Sequence, residues 1–437
     1  MLNDKEFLKL TVPFMLSTMT QPLMGAVNTA VMGQLPQPEY IAAVALGAIL
    51  FNNLYWLFGF LRVSTTGYSA QAMGANDKTL SMLAFFKSLV LAIVIGFLCI
   101  ILQKYIVEAY LSFISPTEQV AALCRSYFDI LIWGAPLVLF NYVSLGWLMG
   151  QAQVRASVIM QVSSNLLNII LSILFVLVWE LGIEGVAVAT LLCQIYGAAV
   201  GVFLIAKLGN FDYRVLPVKE LLDWHTFTEM LKVNFNLMLR TACLLTVNNV
   251  MAAVGAGFGT AVLAANAVLL QIKDLMSFLM DGIANGTAIF TGKSIGTQSR
   301  TMFDKTIALT YKWAAILALF LSWVYFAGNS WMISLFTDQE SVIKLAEKYK
   351  FYIFLYPAVS FIGLSLYGVF SGATRTAPVR NMMLIASVSF YLVQMVLVPD
   401  LANDGLWIAY MIYMGMQSIV LYIYCLLYTS PSPRDCS

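Results

Sequence analysis

The chain has 437 residues, of which 60% are hydrophobic and only 11% charged, and its formal net charge is +2. Its mean hydropathy is +0.83. Soluble proteins carry roughly 25% charged residues, so water is not this chain's main solvent, and so small a net charge gives no footing for nucleic acid. Six well-separated cysteines and a single histidine, His225 in a polar linker, exclude a histidine metal cluster and a histidine proton relay.

A helix needs about 20 apolar residues to cross the hydrocarbon core. Runs of that length predict twelve spans, at 10–33, 40–62, 79–103, 121–148, 156–179, 184–206, 228–254, 261–285, 303–327, 346–371, 378–398 and 404–424. The opening MLNDKEFLKL brings acids early and no small-residue cleavage site, so the first run reads as a span rather than a signal. Lys78, Arg155, Lys207, Arg214, Lys293 and Arg300 fall in one set of loops, and Glu39, Glu108, Glu180, Asp338 and Glu340 in the opposite set. The positive-inside rule makes the first set cytoplasmic. An even number of spans then puts both termini inside. The ending CLLYTSPSPRDCS (425–437) reads as the translation of a sequencing adapter, so it is expected to be non-native and the last span cut short near Tyr424.

The chain is also written twice. A shift of 222 residues lays SFISPTEQV (112–120) on SLFTDQESV (334–342), Tyr127 on Tyr349, Gly74 on Gly296 and Gly150 on Gly372. Both halves start on the same side, which makes the repeats parallel, one of the two repeat patterns of secondary transporters. The expected domains are an amino-terminal six-helix lobe (1–207), a cytoplasmic linker (208–227), a carboxy-terminal six-helix lobe (228–424) and the tail.

At FLRVSTTGYSAQAMGAND (60–77), TQPLMGAVNTAVMGQL (20–35) and MDGIANGTAIFTGKSIG (280–296), the sequence resembles the multidrug and toxic compound extrusion family, in its DinF-like branch. The resemblance runs to about Tyr424. It implies twelve helices in two lobes and cation-coupled export of organic, often cationic or amphipathic, compounds. Arg62, placed by the span reading at the cytoplasmic end of span two, is either a snorkelling anchor or a substrate contact. Ser64, Thr65 and Thr66 beside it can bond freed carbonyls.

Ionisable residues at membrane depth are costly, so each is a functional hypothesis. By the resemblance, aspartates are expected where Asn28 and Ser172 stand and a glutamate where Ala288 stands. All three are neutral here, so the family's amino-lobe proton site is absent as a titrating group. The deep ionisable residues that remain are Lys273 and Asp274 near the middle of span eight, with Asp281 seven residues on and on the same face as Asp274. Lys273 and Asp274 form a structural pair with each other or with Arg240, or else Asp274 or Asp281 binds the coupling ion or substrate. Lys87 and Asp129 read as interfacial. Asn28, Asn165, Asn168, Asn248, Asn249 and Asn266 are either interhelical bridges, worth about 0.6 kcal/mol each, or cavity polarity. Pro22 frees a carbonyl near Asn28 and favours the cavity role there.

These readings converge on an all-α polytopic membrane protein of twelve helices in two parallel six-helix repeats. It is expected to be a secondary active efflux antiporter working by alternating access, with a lipid-linked precursor flippase as the alternative. A flippase would favour a strongly cationic central cavity, whereas the basic residues lie mostly in loops. No nucleophile–base pair, metal motif or P-loop appears, so no enzyme is expected. No cofactor is expected beyond H+ or Na+ as coupling ion. The expected partners are a small organic substrate and membrane lipids, without nucleic acid, and the protein is expected to act as a monomer. The substrate and ion contacts are assigned to Asn28, Asn168, Ser172, Asp274, Asp281, Lys273 and Arg62.

Overall fold

The computed structural model describes residues 2–20, 31, 38–209, 218–221 and 223–429, and every regular element among them is helical. In chain order these are α1 (Asp4–Thr18), α2 (Pro38–Leu57), α3 (Phe60–Ala75), α4 (Lys78–Ile101), α5 (Gln103–Ile114), α6 (Glu118–Leu131), α7 (Ala135–Gly150), α8 (Val154–Ile173) and α9 (Gly182–Leu208). The short α10 (Val218–Leu221) leads into α11 (Trp224–Ala256), α12 (Thr260–Gly296), α13 (Arg300–Ser334), α14 (Glu340–Gly372) and α15 (Ala377–Thr429).

Ten helical stretches among the described residues are long and apolar enough to cross a membrane. The last, Ala377–Leu427, has 51 residues. At about 1.5 Å per residue it would be more than twice the hydrocarbon thickness if straight. It holds two spans instead, parted at Ala402 (φ 50°, ψ −125°) just after Pro399. With α1 as the described part of the first span, the count agrees with the twelve read from hydropathy. Large apolar side chains such as Phe97, Val94, Trp323 and Phe326 stay exposed, as a bundle solvated by lipid requires.

Contacts divide the chain into two units, one of residues 1–18 with 235–437 and the other of residues 19–234. α1 therefore groups with the second half of the sequence, packing on α12, where Thr18 Oγ1 donates to the Phe278 carbonyl at 2.9 Å. In the 19–234 unit, Phe51 stacks on Phe128 at 5.0 Å inside a core built from α2, α6 and α9. In the other unit, Trp407, Tyr410, Tyr413 and Phe390 are fully buried.

The duplication is visible in the backbone. Left-handed residues recur at the same 222-residue shift: Asn76 with Gln298, Ala152 with Thr374, and Glu180 with Ala402. The helix crossings recur too. A Cβ on Gly146 or Gly150 of α7 would meet the carbonyls of Arg62 or Thr66 on α3 at 2.5 and 2.6 Å. Their counterparts Gly368 and Gly372 on α14 would meet the carbonyls of Ala284 and Ala288 on α12 at 2.2 and 2.1 Å. Small residues four apart let two membrane helices touch backbone to backbone, and each unit uses the device at the same place.

Arg62 does not close the second stretch: it stands in the first turn of α3, just after a break at Phe58–Gly59, and α3 continues through Ala75, about 20 Å beyond Arg62 along the axis. The polar run STTGYSAQ does not stop the helix, because its hydroxyls bond inward: Thr66 Oγ1 donates to the Arg62 carbonyl at 2.8 Å, and Ser69 Oγ to the Trp147 carbonyl at 3.0 Å.

Candidate functional site

In the 19–234 unit the amides and hydroxyls of α8 do the polar work. Asn168 is buried and its Nδ2 donates to Thr190 Oγ1 on α9 at 3.4 Å. One turn on, Ser172 is 1% exposed and its hydroxyl has no hydrogen-bond partner, just before α8 passes into a single π turn at Leu174–Val178. Asn165 Nδ2 donates to Thr20 Oγ1 at 2.7 Å. Asn28 lies outside the described residues. Arg62, half-buried on α3, makes no ion pair with any described residue.

Lys87, read from the sequence as interfacial, is only 7% exposed. Its ammonium donates to Thr226 Oγ1 at the start of α11. Beside it lies a cavity of about 540 Å³ whose walls include Tyr68, Gln71, Leu83, Glu220 and Asp223. Asp223 accepts from the Thr226 amide at 3.1 Å, and hydrogen bonds from Thr226 hold its carboxyl below the ordinary range. Asp129 is exposed.

The other unit holds the deep charges. Lys273, 6% exposed at mid-α12, pairs with Asp274 Oδ1 at 2.6 Å and donates to the Tyr410 hydroxyl at 3.2 Å. A turn further, Ser277 gives its proton to the Lys273 carbonyl at 3.1 Å and receives one from Tyr356 at 2.5 Å. The two ends of the pair differ in access: the Lys273 side chain is 7% exposed and that of Asp274 is 49% exposed. An ionised carboxylate turned to lipid is costly, so so much exposure at mid-helix points to a water-filled path. Asp281 sits partly buried on the same helix. Asn266 exchanges hydrogen bonds with Asn403 at 2.7 and 3.0 Å and accepts from Trp407 Nε1 at 2.9 Å.

Of the two pairings left open for Lys273 and Asp274, the fold realises the mutual one. Arg240 takes no part, and its guanidinium lies over the Tyr367 ring at 4.2 Å. The tyrosines went unread in the sequence. Their signal was the stripe Asn403, Trp407, Tyr410, Met414, spaced as one helix face. No cluster of potential metal ligands occurs among the described residues.

A duplicated helical bundle with small-residue crossings and a half-exposed charged pair at mid-span defines a polytopic membrane transporter. Comparison with known proteins narrows the class. A family model described as MatE matches residues 13–174 and 237–399, one match in each half. The chain belongs to this family. It is 31% identical over 423 residues to DNA damage-inducible protein F of Escherichia coli, covering 96% of this chain and 91% of that protein. It is 21% identical over 348 residues to the multidrug export protein MepA of Staphylococcus aureus, covering 78% and 75%. Among solved structures, an outward-facing multidrug resistance MATE family transporter of the MOP superfamily superposes with a TM-score of 0.89 at 19% identity, covering 98% and 96% of the two chains.

Proposed function

We propose that this protein is a secondary active exporter that expels amphipathic organic compounds across a bacterial inner membrane in exchange for H+ or Na+. It acts as a monomer with both termini in the cytoplasm. The observation that carries the coupling is the Lys273–Asp274 pair, whose lysine is sealed and whose carboxylate is half-exposed. A proton added to Asp274 turns a neutral pair into a cation. That change biases a two-state protein only if the proton's affinity differs between the states, and a carboxylate shared between a buried lysine and a water path is placed to differ. Asn168, Ser172 and Asn28 give the first half polarity without a proton donor, Arg62 gives that half a cation, and Asp281 adds a second carboxylate to the helix that carries the pair.

Proteoliposomes with an imposed H+ or Na+ gradient test this. Purified protein should drive an amphipathic dye uphill under one of the two gradients, and the charge-free double variant Lys273→Met/Asp274→Asn should not. Dye that only ever runs down its own gradient would make the protein a facilitator and end the antiport reading.

A further inference from the structure

We propose that Arg240 binds the negatively charged head of the substrate, so that the compounds exported include soluble amphipathic organic anions. The proposal rests on the exporter reading and names its substrate class. Arg240 lies at the midpoint of α11 (Trp224–Ala256), sixteen residues from either end, and a helix centred on a hydrocarbon core of about 30 Å holds its midpoint about 15 Å from either interface. A guanidinium stays charged in any protein environment, and a charge at that depth is costly and normally paired. Among the described residues this one has no ion pair: Asp274 holds Lys273, and Asp404 holds Lys348. Its guanidinium lies over the Tyr367 ring at 4.2 Å, and its Nε is buried without a hydrogen-bond partner among the described residues.

The surroundings extend the argument. Cys243, one turn along α11 from Arg240, adjoins Ser387 and Tyr391 on α15, and the buried Tyr391 hydroxyl lacks a partner among the described residues. Tyr413 is within electrostatic reach of both Arg240 and Lys273, and its ring lies 5.8 Å from that of Tyr410. Arg240 thus adds to this unit a positive charge that no described carboxylate pairs. A single carboxylate or sulfonate on an aromatic or aliphatic body would supply the missing charge and accept from the idle Nε of Arg240, beside the partly exposed Tyr367 ring. The fork of a guanidinium suits such a planar group.

Binding is measured with purified full-length protein, using 1-pyrenebutyrate as the anionic probe and tetraphenylphosphonium as the cationic one. Arg240→Gln should weaken pyrenebutyrate by about tenfold or more, the loss expected of a charge-assisted hydrogen bond, and leave tetraphenylphosphonium within about twofold. Arg240→Lys should fall between. A measurement on the unaltered protein guards against misfolding: pyrenebutyrate should protect Arg240 from phenylglyoxal, mapped by mass spectrometry. Equal pyrenebutyrate binding by wild type and Arg240→Gln, or no protection, would overturn the assignment. Displacement of the probe by phosphatidic acid in nanodiscs, but by no soluble carboxylate, would overturn the soluble anion in favour of a lipid head. Arg240-dependent binding without uphill export in proteoliposomes would instead remove the exporter reading and leave the anion site standing.

Discussion

Asp274→Asn removes one partner of a pair whose other member cannot follow it into water. Lys273 keeps 6% exposure and would retain only the Tyr410 hydroxyl at 3.2 Å. Breaking a fully buried ion pair from one side costs about 3–5 kcal/mol. Here the Asp274 side chain is 49% exposed and water screens part of the attraction, so about 2 kcal/mol is expected. The variant should therefore melt lower than wild type in detergent. Lys273→Met/Asp274→Asn, which removes the stranded charge, should recover most of the loss. Thermal unfolding followed by tryptophan fluorescence reads the stability, and uphill dye transport by the same preparations reads the coupling. A double variant no more stable than Asp274→Asn alone would refute the compensation on which the site is built. A stable double variant that still pumps against a gradient would make the pair structural.

The two glycine crossings predict that Gly146→Leu and Gly368→Leu each prevent accumulation of folded protein in the membrane. Gly328→Leu, with nothing near its missing Cβ, should be neutral; equal expression of all three would refute the backbone contact. Hydrogen bonds from Lys312 and Trp313 hold the Asp4 carboxyl below its ordinary value of 3.8, at 2.7 and 2.8 Å. A depressed folded-state pKa means stability that is present in full above the unfolded pKa of about 3.9 and lost as the pH falls through the lower folded value. The gap in melting temperature between wild type and Asp4→Asn should thus be open at pH 6 and close as the pH drops below the carboxylate range; a gap that widens on acidification would contradict the contact. Finally, a reporter fused after His225 should report cytoplasm and one inserted at 338–340 the opposite side, and reversed signals at both would remove the orientation.

The spans and the repeat were legible because both are written in composition: runs long enough for a bilayer, and a 222-residue shift that the left-handed residues and glycine crossings follow. The end of span two was set too early, near Arg62, because hydropathy falls at STTGYSAQ and does not register a hydroxyl such as that of Thr66, which bonds back to the Arg62 carbonyl of its own helix. The burial of Lys87 against Thr226 was not legible because the two lie 139 residues apart. The same limit applies to the deep charges. Sequence marks Lys273 and Arg240 alike, as cations where cations are costly. Whether such a charge is compensated depends on another helix, and Tyr410, which steadies Lys273, lies 137 residues on. Only the fold separates the two. A cation held by its neighbouring carboxylate is neutral until a proton arrives, which suits coupling. A cation left over after the acids seen in ion pairs are taken still needs a counter-charge, and a substrate can bring one.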